Sequence, residues 1–281
     1  MKEAAYYKKL KNNLVFCQLC PHNCKIEEGD TGQCRVRKNI DGTLYSLNYG
    51  QISSYGYDQV EKKPLYHFNP GKIIFSIGSY GCNLSCDFCQ NWQISHENPR
   101  TIEVKDEEII DLAKSRDSIG IAYTYNEPSI WYEYLLHLSK IAKQEGLYNV
   151  LVTNGYINPK PLEELLPYID AMNIDLKSMS EDFYNNLCDG RMKAVLNTIK
   201  RASKSVHVEV TTLIIDEVNS SPEEIEVLAK TIAYIDKDIP LHLSRYFPAY
   251  KMDLPPTKIE TVIQARNIAK KHLNSVYMGN I

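Results

Sequence analysis

From about residue 71 onward, short apolar runs alternate with longer amphipathic stretches. The runs predict strands near 73–77, 119–125, 148–153, 171–176, 206–215 and 241–247. The amphipathic stretches predict helices near 106–116, 129–145, 159–167, 181–187 with 192–204, 222–235 and 256–271. Asp106-Glu107-Glu108 and Ser221-Pro222-Glu223-Glu224 read as acidic first turns, with proline tolerated at the first helical position of the second. Six strands with intervening helices imply parallel βαβ units, either doubly wound or curled into a barrel. Side-chain alternation discriminates. Val206, Val208 and Val210 point one way, and His207, Glu209 and Thr211 the other. Likewise His242, Ser244 and Tyr246 oppose Leu241 and Leu243, and Asn173, Asp175 and Lys177 oppose Met172, Ile174 and Leu176. A parallel sheet covered by helices on both faces should be apolar on both. One polar face therefore predicts a barrel whose lumen is too open to fill with side chains. The alternative is that these polar groups bond one another in a core.

The first seventy residues carry Cys17-x2-Cys20-x3-Cys24-x9-Cys34, several glycines and short alternating stretches. They predict a small β-rich module, residues 1–70, before a barrel over 71–281. Alone, such a module is too short for a strong core. Its four cysteines suit a tetrahedral zinc site, which we favour, or a second iron–sulfur cluster; disulfides or free thiols are the bland alternative. The chain has 281 residues and a net charge of −3, which favours neither nucleic acid nor an anionic membrane. No apolar run is long enough to span a bilayer, and the amino-terminal residues lack the apolar stretch of a secretion signal. With seven of eight cysteines at metal-ligand spacing, a reducing and oxygen-poor cytoplasm is expected.

The loop Gly81-Cys82-Asn83-Leu84-Ser85-Cys86-Asp87-Phe88-Cys89 carries the most specific signal. Three thiolates at C-x3-C-x2-C can hold a cubane cluster that keeps one iron open. A zinc knuckle would want a fourth ligand nearby, and His96 is the nearest candidate. The spacing, with Phe88 before the last cysteine, resembles the signature of the radical S-adenosylmethionine (SAM) superfamily. That resemblance implies a partial (β/α)6 barrel, with a [4Fe–4S] cluster on Cys82, Cys86 and Cys89 chelating SAM at its open iron.

Further motifs follow the predicted strands. Tyr125-Asn126-Glu127-Pro128 resembles the Gly-Glu-Pro type motif that holds the SAM amino group, with asparagine replacing a glycine. Taken alone, Asn126 would read as a helix cap. Thr153-Asn154-Gly155 and Asp175-Leu176-Lys177 resemble motifs of enzymes that activate glycyl radical proteins. Val152 stands where those enzymes often carry an aspartate of a cation site. The resemblance assigns Asn126, Glu127, Thr153, Asn154, Asp175, Lys177, Glu209 and His242 to SAM binding. Asp175 and Lys177 could alternatively form a plain strand-end ion pair. Cys188 reads either as a small buried hydrophobe or as a lumen-facing thiol.

Longer strings sharpen the resemblance: Cys20-Pro21-His22-Asn23-Cys24, Glu61 to Phe68, the Cys82–Trp92 loop, Ala122 to Pro128 and His242 to Pro248. They are similar to the AmmeMemoRadiSam-system radical SAM enzymes, relatives of pyruvate formate-lyase activating enzymes associated with AMMECR-type and Memo-like proteins. The resemblance implies reductive cleavage of SAM, a one-electron donor such as flavodoxin or ferredoxin, and hydrogen abstraction from a glycine of a partner protein. A small molecule or peptide handled with the associated proteins is the alternative substrate. A non-enzymatic iron–sulfur electron carrier is the reading of another class, and it needs no SAM pocket.

Overall fold

The computed structural model describes residues 1–281. Its centre is an eight-stranded sheet of β1 (Ser54–Gln59), β2 (Ile73–Gly78), β3 (Ser118–Tyr123), β4 (Tyr148–Thr153), β5 (Ala171–Asp175), β6 (His207–Ile214), β7 (Leu241–Arg245) and β8 (Val276–Gly279). The spatial order equals the chain order. β2 to β8 run parallel, and β1 pairs antiparallel with β2 at one edge. A doubly wound sheet would reverse its strand order at a switch point. None reverses here, so successive right-handed crossovers leave all helices on one face and curl the sheet. β1 and β8 do not pair, so the barrel stays partial.

Six crossovers link the seven parallel strands: α1 (Asp106–Lys114), α2 (Tyr132–Gln144), α3 (Pro159–Leu165), α4 (Met192–Ala202), α5 (Pro222–Asp236) and α6 (Ile259–Ala269). This is the (β/α)6 arrangement expected from the sequence, plus a closing strand. Ser221 caps α5 by accepting from the Glu224 amide at 3.1 Å. The stretch expected as helix over 181–187 is one short α-turn followed by a π-turn over Tyr184–Cys188, ended by Asp189 at φ +52°.

The N-terminal part carries two three-stranded antiparallel sheets, and its Gln51–Ile52 pairs antiparallel with Ile102–Glu103 of the barrel region. Its strand Ser54–Gln59 belongs to the barrel sheet, ahead of the boundary drawn at residue 70. Its apolar residues Val15, Leu19, Ile26 and Leu44 are buried in the same cluster as the barrel's Ile77, Leu151 and Ile174. The module therefore completes its core by borrowing from the barrel. No helix is long and apolar enough to cross a membrane.

Candidate active site

A cavity of about 280 Å³ opens at the C-terminal ends of the parallel strands, where barrel enzymes collect their catalytic groups. Cys82, Cys86 and Cys89 line it, on the loop that leaves β2. Burial pushes the Cys82 and Cys89 thiols upward. A hydrogen bond from Cys188 pulls Cys86 the other way. Cys82 Sγ accepts from the Leu84 amide at 3.4 Å and from Asn154 Nδ2 at 3.6 Å. Buried thiols disfavour the charged form unless a cation neutralises them, and N–H donors to sulfur are how a protein tunes cluster ligands. The donor set fits a three-thiolate iron–sulfur cluster. Cys188 is fully buried and absent from the cavity wall, so it is not a lumen-facing thiol. Its carbonyl accepts from the Ser85 amide at 2.8 Å, and the Leu187 carbonyl accepts from Asp87 at 3.0 Å, tying the cysteine loop to the π-turn.

Asn126, Glu127, Thr153, Asn154, Asp175 and Lys177 also line the cavity. Their bonding shows what each strand end does. Glu127 is 3% exposed, and burial raises its carboxyl. It accepts from the Ser129 amide (2.8 Å), Thr153 Oγ1 (2.7 Å) and the Asn154 amide (2.7 Å). Glu127 is thus the cap of the turn Pro128–Trp131, the role that Asn126 alone would suggest. Asn126 instead accepts from the Ser79 amide at 2.9 Å and donates to the Gly81 carbonyl at 3.0 Å, gripping the start of the cysteine loop. Asn154 Nδ2 donates to Asn83 Oδ1 at 2.9 Å. Gly155 sits at φ +67°, where a Cβ would lie 2.8 Å from Ile174 Cγ2, so the Thr-Asn-Gly sequence needs its glycine. Lys177 Nζ lies 3.0 Å from Asp175 Oδ2. Burial works against the Lys177 charge, but Asp175 and Cys86 outweigh it and hold the ammonium well above its usual range. The pair is an ion pair and a cavity wall at once.

Two assigned residues are corrected. Glu209 and His242 do not line the cavity. Glu209 is fully buried toward the opposite end of the barrel, accepting from His242 Nε2 (2.6 Å), His207 Nε2 (2.9 Å) and the His67 amide (2.7 Å). Burial would raise this carboxyl, but those hydrogen bonds prevail and hold it at about 2. Both oxygens are saturated, and the segment Pro64 to Phe68 closes over them. In the other direction, Thr211, Ser244, Asn280, Gln90 and Tyr125 line the cavity without having been assigned. Alternation had put Thr211 and Ser244 on the correct face. Asn280 and Gln90 gave no signal.

Cys17, Cys20, Cys24 and Cys34 are free thiols, all but Cys24 buried, and they are not drawn together into a metal-holding group. Burial, with Cys34, Cys17 and Cys24 as charged neighbours, drives Cys20 strongly upward. Burial likewise pushes Cys34 up to about 11, with Cys17 adding to it. The buried Arg37 guanidinium pairs with Glu133 at 2.9 Å and faces Cys17 and Cys34, so a cation already offsets negative charge there.

A sequentially ordered, curled parallel sheet with three thiols at its C-terminal mouth defines a metal-cluster barrel. The chain belongs to the Radical SAM superfamily, whose profile matches residues 76–232, more than half its length. Membership implies a [4Fe–4S] cluster and SAM. The chain is 43% identical to an uncharacterised protein of Methanocaldococcus jannaschii, an alignment spanning all of this chain and 86% of the relative. It is 25% identical to the pyruvate formate-lyase-activating enzyme of Clostridium pasteurianum, over 55% of this chain and 67% of that protein. Among solved structures, a domain of the pyruvate-formate lyase-activating enzyme from Bacteroides vulgatus superposes with a TM-score of 0.51. That match is at 22% identity, over 57% of this chain and 99% of the domain, a likeness of fold.

Proposed function

We propose that this protein binds SAM in the cavity at a [4Fe–4S] cluster on Cys82, Cys86 and Cys89 and uses it to remove a hydrogen atom from a glycine of a partner protein. When bound and reduced, the cluster supplies the electron that breaks a carbon–sulfur bond of SAM and releases the 5′-deoxyadenosyl radical. The residues of the chain bind, orient and exclude water. Glu127 anchors Ser129, Thr153 and Asn154 so that their backbone forms one wall. Asp175, with its second oxygen free of Lys177, is the acceptor for a SAM hydroxyl or ammonium, and Lys177 balances charge beside Cys86. The observation that carries this reading is the convergence of three strand-end motifs on one cavity that also holds the three thiols.

The glycyl substrate rests on similarity to activating enzymes. The long strings shared with the AmmeMemoRadiSam-system enzymes favour a second reading, a small molecule or peptide handled with AMMECR-type and Memo-like partners. Flavodoxin or ferredoxin is the proposed electron donor, in an oxygen-poor cytoplasm. For residues 1–70 we propose a metal-binding module in which Cys17, Cys20, Cys24 and Cys34 hold one zinc ion; a second iron–sulfur cluster would use the same thiolates.

The test is anaerobic incubation of reconstituted protein with SAM, dithionite and each candidate partner. 5′-Deoxyadenosine should form, and electron paramagnetic resonance should detect a glycyl radical on the partner. Cleavage of SAM without a glycyl signal on any partner would transfer support to the second reading. No cleavage would overturn both.

A further inference from the structure

Cys188 stands apart from the other cysteines in the sequence, and no step of SAM cleavage uses it. A buried free cysteine is ordinarily an inert small hydrophobe. This one donates a hydrogen bond from its thiol to the Cys86 sulfur. The backbone fixes that contact on both sides of Cys86. Before it, the Ser85 amide donates to the Cys188 carbonyl at 2.8 Å; after it, the Asp87 amide donates to the Leu187 carbonyl at 3.0 Å. Both carbonyls lie at the C-terminal end of the π-turn Tyr184–Cys188, where helical partners run out and Asp189 turns the chain away at φ +52°. The turn is packed without slack. A Cβ on Gly190 would lie 2.6 Å from Leu84 Cδ2, and the Lys177 amide donates to Tyr184 Oη at 2.9 Å. Access separates the two sulfurs. Cys86 lines the cavity, whereas Cys188 is fully buried behind it. Cys82 is served differently, by the Leu84 amide and Asn154 Nδ2. A thiol reachable from the cavity therefore has a second thiol held directly at its back.

We propose that Cys86 and Cys188 are a reversible oxidation site: in protein without a cluster, hydrogen peroxide joins them in a disulfide. Peroxide enters through the cavity and meets Cys86. The Cys86 sulfur attacks one peroxide oxygen, the O–O bond breaks, and Cys86 sulfenic acid and a water form. The Cys188 sulfur then attacks the Cys86 sulfur from behind. The S–O bond breaks, the S–S bond forms and a second water leaves. Both thiols are oxidised, one peroxide is reduced, and the thiol protons end on the waters. Fast capture by Cys188 stops Cys86 short of sulfinic acid, which thiols do not reverse. A dithiol reductant restores both cysteines by exchange. The disulfide itself needs no metal. Its consequence, a cysteine loop closed to iron until it is reduced, rests on the reading that Cys86 is a cluster ligand.

The experiment treats cluster-free, full-length wild type with hydrogen peroxide, alkylates the remaining thiols in denaturant and maps the cysteines by non-reducing peptide mass spectrometry. A peptide pair linked through Cys86 and Cys188 should appear, and dithiothreitol should abolish it. Under the same treatment Cys188→Ala should accumulate Cys86 sulfinic acid that dithiothreitol does not remove. Cys86 joined to Cys82 or Cys89 in the wild type overturns the inference, as does Cys188 left alkylatable while Cys86 is oxidised. Should Cys188→Ala not fold, the wild-type map decides alone. Iron uptake on reconstitution then separates the two readings. The linked protein should lose uptake at the cysteine loop and regain it after reduction. Fully reduced wild type that takes up no iron overturns the cluster assignment while the mapped disulfide stands. Linked protein that takes up iron as the reduced protein does overturns the closing role.

Discussion

The two ends of the barrel lumen are built from the same strands and the same alternation, yet they are opposite environments. At the C-terminal end, Asp175, Lys177, Thr211 and Ser244 face an open cavity with the three thiols. At the other end, on the same faces of β5, β6 and β7, Asn173, Glu209 and His242 are buried and spent on internal partners. Asn173 Nδ2 donates to the Pro64 carbonyl at 2.8 Å, and Thr211 Oγ1 donates to Asn173 Oδ1 at 3.0 Å. The difference lies outside the strands. The segment after β1, from Lys63 to Phe68, folds across one end only and supplies backbone partners there. A polar strand face thus identifies what points inward, and the connecting segments decide whether it meets water and ligand or closes on itself.

The sharpest way to break this contrast is at the thiols. Cys82→Ala, Cys86→Ala and Cys89→Ala should each reduce 5′-deoxyadenosine formation to background. Glu209→Gln, at the closed end, should retain SAM cleavage in whatever fraction stays folded. Full cleavage by any of the three cysteine variants would falsify the ligand assignment.

Glu127 should give the next largest effect. Glu127→Ala leaves the Ser129 and Asn154 amides and the Thr153 hydroxyl without their acceptor in a buried site. At roughly 1–3 kcal/mol per stranded group, partly relieved by water entering the cavity, a loss of about 3–5 kcal/mol in stability is expected. SAM affinity should fall with it, because the Thr153–Asn154 wall is no longer held. Denaturant melts alongside SAM titration check this; unchanged stability would mean that the carboxylate does not anchor the wall.

Those two sites differ in how far the sequence disclosed them. The cysteine spacing is local and chemically demanding, so it could be read without a fold. The order of strands and helices was legible because each apolar run and amphipathic face repeats its own period. The roles of Asn126 and Glu127 were not. Both were read as contacts for an ammonium, whereas their partners, Ser79, Gly81, Thr153 and Asn154, lie on neighbouring loops that only the curled sheet brings together. Glu209 and His242 were misassigned for the same reason: their period-two placement was correct, but their depth along the strand depends on the segment that closes the far end.

Glu209 offers a test by pH. Its carboxyl is held at about 2 against an ordinary 4.5, so the folded state favours the ionised form. The sign follows from that depression. The contribution is fully present above about pH 4.5 and is lost as pH falls toward about 2. Groups facing it are His207, His242 and the His67 backbone, with Tyr66 and Tyr277 packed against His242. Glu209→Gln should cost about 3 kcal/mol near neutrality, the order that follows from a carboxyl held at about 2 against an ordinary 4.5. The gap between variant and wild type should narrow as the wild type is acidified from pH 4.5. A gap independent of pH over that range would show that the cost is packing and not the carboxylate charge.

The smallest expected effect lies at the rim of the closed end. His67 Nε2 and the Tyr277 hydroxyl are 2.7 Å apart, tying the closing segment to β8, which is an open edge of the sheet. His67 is exposed, so water can replace either partner when the other is removed. Tyr277→Phe keeps the ring that stacks on His242 at 5.4 Å and deletes only the hydroxyl. A loss of about 0.5–1 kcal/mol is expected, with SAM cleavage unchanged. Amide hydrogen exchange at Tyr66 and His67 gives the finer readout, because their backbone donates to Glu209 whether or not the edge tie is present. Protection there should persist in Tyr277→Phe and collapse in Glu209→Gln. If both variants lose protection equally, the closing segment is held by the sheet edge, and the buried carboxylate is not what seals that end of the barrel.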